Sequence, residues 1–192
     1  MIRLFIALPL QKQVEDELDR IISALQDKGG KVKWVAPKNI HLTIKFLGNT
    51  EESLVKSLKE HIDEVAAAFQ PLTSRIDRIG AFPNLNRPRV IWASFSECVE
   101  ILAKMAGMID ERVHALGWER EERKFKPHLT LGRVKDSSGM EELAAFVKSY
   151  ELPDIPLNLD RLVLFKSTLT QRGPIYERLH ERMLGSDQTF GG

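Results

Sequence analysis

Cysteine is almost absent: Cys98 is the only one in 192 residues. One thiol makes neither an internal disulfide, a zinc finger nor a dithiol redox pair, so Cys98 reads as a small, half-buried hydrophobe. No apolar run approaches the roughly 20 residues of a membrane helix. Met1 to Pro9 superficially resembles a signal peptide, but it lacks a small-residue cleavage site and Gln11-Lys12 follow at once. Its alternation of Ile2, Leu4, Ile6 and Leu8 is that of a strand. The chain therefore reads as cytoplasmic, with no membrane partner. Charge of either sign is also not in excess: 28 Lys and Arg face 27 Asp and Glu, a net charge of +1. That excludes a global polyanion-binding field, leaves only local patches for nucleic acid, and points to a monomer. Apolar content of 43% and 29% charged residues are those of a globular protein. The length suffices for one sizeable domain or two small lobes.

What the sequence does have is a tetrapeptide said twice. Ile40-His41-Leu42-Thr43-Ile44 is answered by Pro127-His128-Leu129-Thr130-Leu131. With strand periodicity of two, His41 and Thr43 share one face, Leu42 and Ile44 the other. His128 and Thr130 are arranged likewise over Leu129 and Leu131. Lys45 continues the His41 face, and Phe46 the apolar one.

Read in order, the chain predicts a strand over 2–8 and a helix over 11–27, stopped by Gly29-Gly30. A short strand over 31–35 leads through a Pro37-Lys38-Asn39 turn into the His41 strand, which runs to about 47. Thr50 caps a helix reaching Phe69, and a strand follows over 72–79. The loop 80–88 separates the halves; its Arg87, with Arg89, is a candidate phosphate-binding surface. The second half gives a strand over 90–95, a Ser96-capped helix ending near Leu116, and a polar strand over 118–124. The His128 strand then runs to about 134. A Ser138-Gly139-Met140-Glu141 capping box opens a helix, a strand covers 157–165, and a last segment near 175–179 adds another.

The two histidines lie 87 positions apart, and the same shift carries the second-half helix onto the first. Each half reads strand-helix-strand-strand-helix-strand, the split βαβ pattern. The expected fold is α+β and bilobal: two pseudo-twofold-related lobes with antiparallel sheets flank a cleft that brings the histidines together. One bilobal domain spans 1–192, with pseudo-repeats at about 1–80 and 89–166 plus a C-terminal strand. Whether each half folds alone, or the halves exchange strands so that both termini share a lobe, stays open.

Two imidazoles facing one small volume make a general acid–base pair, since groups titrating near 6.5 can be one neutral and one protonated at pH 7. Two threonine hydroxyls are neutral donors suited to the non-bridging oxygens of a phosphate. No carboxylate adjoins either histidine to make a triad, and a metal would ask for carboxylate or cysteine ligands rather than threonine. The chemistry that fits is metal-free attack on a phosphodiester. Spacing alone does not say which histidine is acid and which base.

These motifs resemble the twin His-x-Thr-x motifs of the 2H phosphoesterases, and within them the RNA 2′,3′-cyclic phosphodiesterases, also called 2′-5′ RNA ligases. The resemblance runs through Arg3-Leu4-Phe5-Ile6-Ala7, Val32-Lys33-Trp34-Val35, Asn39 to Gly48, Phe82-Pro83-Asn84, Arg87 to Ala93 and Phe125 to Val134. It implies hydrolysis of RNA 2′,3′-cyclic phosphate ends to 2′-phosphate ends, tRNA halves among the candidate substrates, without cofactor or metal. It implies His128 as proton acceptor, His41 as proton donor to the departing O3′, and Thr43 and Thr130 as phosphate ligands. Members can also join RNA ends by a 2′-5′ bond without a nucleotide cofactor. Arg133 matches a substrate-contacting arginine of the family, although strict alternation sets it on the face opposite His128, so a bulge, the strand's end or a merely solvated side chain must reconcile the two. Phe46 and Phe125 could stack on a base, but Phe46 fits the core better. His61, His114 and His180 read as surface residues. Two rival functions stand beside this one: a non-catalytic RNA-end-binding module, and a 2H phosphoesterase acting on a small nucleotide cyclic phosphate or 2′-5′ oligoadenylate.

Overall fold

In the computed structural model, which describes residues 1–171 and 173–186, the order is β1 (Ile2–Pro9), α1 (Lys12–Gln26), β2 (Lys31–Trp34), a 3-10 turn (Pro37–Asn39), β3 (His41–Thr50), α2 (Val55–Ala67), β4 (Leu72–Ile76) and β5 (Arg78–Phe82). There follow β6 (Val90–Ser94), α3 (Val99–Ala115), β7 (Leu129–Asp136), α4 (Glu141–Ser149), β8 (Ile155–Leu159), β9 (Arg161–Thr170) and β10 (Gly173–Met183). The main sheet runs β10-β9-β1-β3-β7-β6-β5, with β2 also on β7, while β4 and β8 form a separate ribbon. The pairings are antiparallel.

The two strands expected over 72–79 and 157–165 each break in two. After pairing together as β4 and β8, the segments turn at Asp77 and Asp160 and cross into opposite lobes: β5 joins β6, and β9 joins β1. The halves thus exchange strands. One lobe holds β1, β3, β9 and β10, with both ends of the described chain; the other holds β2, β5, β6 and β7.

Periodicity decides what each element buries. Val14, Leu18, Ile21, Ile22 and Leu25 of α1 and Leu102, Met105, Ile109 and Val113 of α3 enter one core with Leu4, Ile6 and Leu8 of β1. The alternate β1 residues, Phe5 and Ala7, join Val163 and Phe165 in a second small cluster on the opposite face, against Tyr176. At about 1.5–3 kcal/mol per fully buried aliphatic or aromatic side chain, two-sided burial makes β1 and β9 the strongest part of the frame.

The polar strand expected over 118–124 does not form. Six charged residues in a row from Glu119 to Lys124 have no sheet edge to pair with, and Asp110 on α3 takes the Glu121 N–H instead. None of the three anticipated side-chain caps forms either. The Thr50 hydroxyl donates to the Gly48 carbonyl within β3. Ser96 bonds Asp77 through both backbone and hydroxyl, leaving Cys98, at φ 62°, to start α3. α4 begins after Met140 without a side-chain cap. Among the described residues no helix is long and apolar enough to cross a membrane.

Candidate active site

The strands that carry the two motifs meet through one residue pair, Leu42 opposite Leu129. Both leucines are fully buried in the main core. His41 and His128 each stand immediately before one of them; His128 precedes the first residue of β7 rather than lying inside it. One antiparallel step from that pair sets His41 beside Thr130 and Thr43 beside His128. All four are partly exposed, on the face away from the leucines. The twin motifs therefore converge at the junction of the lobes, each histidine next to the other motif's threonine.

Each histidine is braced twice. His41 hydrogen-bonds the backbone of Asn39, and His128 Nδ1 lies 2.8 Å from the Lys126 carbonyl, in both cases two residues upstream. A ring nitrogen facing a carbonyl must carry the proton, so neutral His128 presents an unprotonated Nε2. Aromatic rings supply the second brace. His41 stacks on Phe5 at 4.6 Å and 24°, with Tyr176 edge-on at 5.3 Å and Phe165 at 5.9 Å. His128 meets Phe82 edge-on at 5.0 Å, and Phe82 leans on Trp92 at 5.2 Å. Trp92 lies over Gly80, where a Cβ would come within 2.5 Å of its ring. Trp92 follows Phe5 by the same 87 positions that separate the histidines, a signal present in the sequence but outside the motifs.

The pseudo-symmetry is chemically broken at His41. Burial among three rings pushes its pKa down to about 4, against the Asn39 hydrogen bond, which raises it. The native state then favours neutral His41, whereas the unfolded chain takes up a proton near 6.5. This contribution to stability is complete above pH 6.5 and drains away as pH falls from about 6.5 to about 4, by about 3 kcal/mol in all. In urea melts across this window the wild type should lose about 3 kcal/mol relative to His41→Phe as pH falls; parallel curves would refute the burial argument.

Bulges decide where the neighbours point. In β7 the register against β6 shifts between Ile91 and Trp92, leaving Leu131 unpaired. Arg133 thereby turns to the face of Thr130, and its charge, with that of Arg3, acts on the Tyr176 phenol, which burial pushes up and the two cations pull down. In β3 two such shifts, at Ile44 and Leu47, exchange the expected places of Lys45 and Phe46. Phe46 is 63% exposed rather than core, its ring 6.0 Å from Phe5 on the histidine side. Lys45 leaves the His41 face and pairs with Asp110 of α3. Phe125 is half-buried against the core. Arg87 and Arg89 are exposed. His114 is exposed, but His61 and His180 are half-buried rather than on the surface, and His180 Nε2 lies 2.6 Å from Asp63. Among the described residues no three His, Cys, Asp or Glu side chains converge as a metal site would.

The family model of LigT-like phosphoesterases matches residues 8–92 and 96–176. An RNA 2′,3′-cyclic phosphodiesterase of Methanocaldococcus jannaschii is 36% identical over 182 residues, 93% of this chain and 99% of the relative. Its namesake in Archaeoglobus fulgidus is 35% identical over 178 residues, 92% and 97% of the two chains. Among solved structures, a protein of Thermus thermophilus superposes with a TM-score of 0.77 at 26% identity, covering 96% of this chain and 99% of its own. E. coli LigT complexed with 3′-AMP shares the fold, with a TM-score of 0.73 at 22% identity over 96% and 99%. Twin His-Thr strands meeting at one leucine pair, a family model matching both halves, and relatives aligned almost end to end agree: the chain is an enzyme of the LigT-like phosphoesterase family.

Proposed function

We propose that the protein hydrolyses RNA 2′,3′-cyclic phosphate ends to 2′-phosphate ends, with His128 as base and His41 as acid and without a metal. The observation that carries this is the junction itself, two histidines and two threonines on one open face with no carboxylate among them. His128 Nε2 takes a proton from water as the water oxygen attacks phosphorus. The P–O3′ bond breaks, and His41 delivers a proton to the departing O3′. Thr43 and Thr130 donate to the non-bridging oxygens, and Arg133 offsets the negative charge that builds there. His41 is neutral when the site is empty; an anionic phosphate beside it favours the imidazolium, and burial makes that cation a ready donor. A ribose 5′-hydroxyl in place of water would give a 2′-5′ bond by the same steps. The relatives' substrates support RNA, with tRNA halves among the candidate ends, and the balanced charge supports a monomer.

The test is a short RNA ending in a 2′,3′-cyclic phosphate, incubated in EDTA. Conversion to the 2′-phosphate end is expected. Binding without conversion would make the protein an end-binding module. A 3′-phosphate product would overturn the assignment of His41 to O3′.

A further inference from the structure

Two contiguous grooves leave the site on the side of His41. The first, about 280 Å³, begins at His41 and is walled by Phe165, Ile175 and Tyr176, with Lys38 and Arg178 among its lining residues. The second, about 190 Å³, shares Pro9, Leu10 and Arg178 with the first and reaches Arg161. No lining residue of either comes from β2, β5, β6 or β7, so the track belongs wholly to the lobe of His41. Its chemistry is mixed in a particular way. Ile175 is 61% exposed although large and apolar, beside the half-buried Tyr176 ring, while Lys38 and Arg178 are exposed cations. Acidic side chains match these cations in number: Glu15 lines the first groove, Asp160 the second, and Glu181 pairs with both Arg161 and Arg178, so a phosphate would be held by direct contact with Lys38 and Arg178 rather than by a net positive field. An apolar and aromatic wall with cations nearby is what a single-stranded nucleic acid uses, bases on the wall and phosphates on the cations.

The direction of the strand follows from the reaction proposed above, on which this inference rests. If His41 protonates O3′, the terminal ribose lies on the His41 side of the phosphorus. The strand then departs from the 5′ carbon of that ribose into the lobe these grooves occupy. We infer that the grooves form an upstream subsite: the phosphodiester 5′ of the terminal nucleotide sits between Lys38 and Arg178, and the next base lies against Ile175 and Tyr176. The substrate class is then an oligoribonucleotide end, not a cyclic mononucleotide.

The experiment compares kcat/KM for adenosine 2′,3′-cyclic phosphate and for an oligoadenylate of four nucleotides bearing the same end, in the wild type and in Lys38→Ala/Arg178→Ala. The wild type should prefer the longer substrate by about tenfold or more, the worth of one good charged contact. The double variant should bring the ratio close to one, chiefly by raising KM for the tetramer. The wild-type preference should also fall with salt, and removing the two cations should flatten that dependence by about 0.7 per cation in a log–log plot. Equal efficiency on both substrates in the wild type, or an equal loss on both in the variant, overturns the subsite while leaving the reaction standing. Turnover of neither substrate by the wild type overturns the reaction and the subsite with it.

Discussion

His41→Ala and His128→Ala should each lower turnover of a cyclic-phosphate RNA end by about 100- to 10,000-fold, the usual worth of a positioned acid or base. The double variant should be little worse than either single one, because an acid and a base that act on the same transition state fail together. The geometry gives the reason. The two rings belong to different lobes, yet the strands that present them meet at a single pair, Leu42 and Leu129. Neither histidine's motif brings a second titratable side chain to replace it. The pH profiles should also differ between the two limbs of the bell. In kcat/KM, which reports the free enzyme, the acid limb should lie near 4, where burial puts His41. In kcat, which reports the complex, the His41 titration should move to higher pH, because the bound phosphate favours the imidazolium. Fully additive losses, or identical limbs in kcat and kcat/KM, would count against the concerted pair.

How much of this was legible in the sequence can be read from particular residues. The shared face of each His-Thr pair was, because it rests on period-two alternation over a few residues: His41 and Thr43 turn out opposite Leu42, and His128 and Thr130 opposite Leu129. Alternation fails where a residue is inserted into the ladder. The bulges in β3 exchange Lys45 and Phe46, and the bulge in β7 brings Arg133 round to the Thr130 face. A bulge leaves no mark in composition, since it depends on the register of a partner strand elsewhere in the chain. Strand exchange was visible only as an open choice. The deciding feature is the turn at Asp77 and Asp160, where a single apolar run becomes two strands in different sheets. Residues 118–124 read as a strand because their counterpart in the first half is one. Yet β2 itself pairs with β7 of the other half, where Gly132 lets Val32 and Trp34 lie close. The pseudo-repeat holds for the elements that carry the site and lapses for those that only decorate it.

The exchanged place of Lys45 leads to the second large effect. Lys45 and Asp110 are 11% and 14% exposed, and Lys45 Nζ also reaches the Glu119 carbonyl at 3.3 Å while Asp110 accepts from the Glu121 N–H at 3.1 Å. The pair therefore ties β3, four residues after His41, to the irregular segment that delivers His128. Asp110 is held below the usual carboxylate range: burial raises it, but the hydrogen bond from Lys45, the Glu121 N–H and the Lys45 charge together lower it further. Lys45→Met should leave that carboxylate largely unpaired and cost about 3 kcal/mol, the lower end for breaking such a pair. A domain of this size should then melt roughly 6–12 °C lower. Turnover should fall as well, by up to about 100-fold, because a base displaced by about 1 Å loses its line to the attacking water. Stability and turnover can be separated by Lys45→Met/Asp110→Leu, which removes both charges. Apolar replacement of a buried pair restores stability in general, but it cannot restore the bonds to Glu119 and Glu121. This double variant should therefore melt near the wild type while kcat stays low and KM changes little. If it regains kcat too, the segment before His128 is held well enough by Trp118 Nε1 on the Leu47 carbonyl and by Ser94 on the Pro127 carbonyl, and the ion pair serves stability alone.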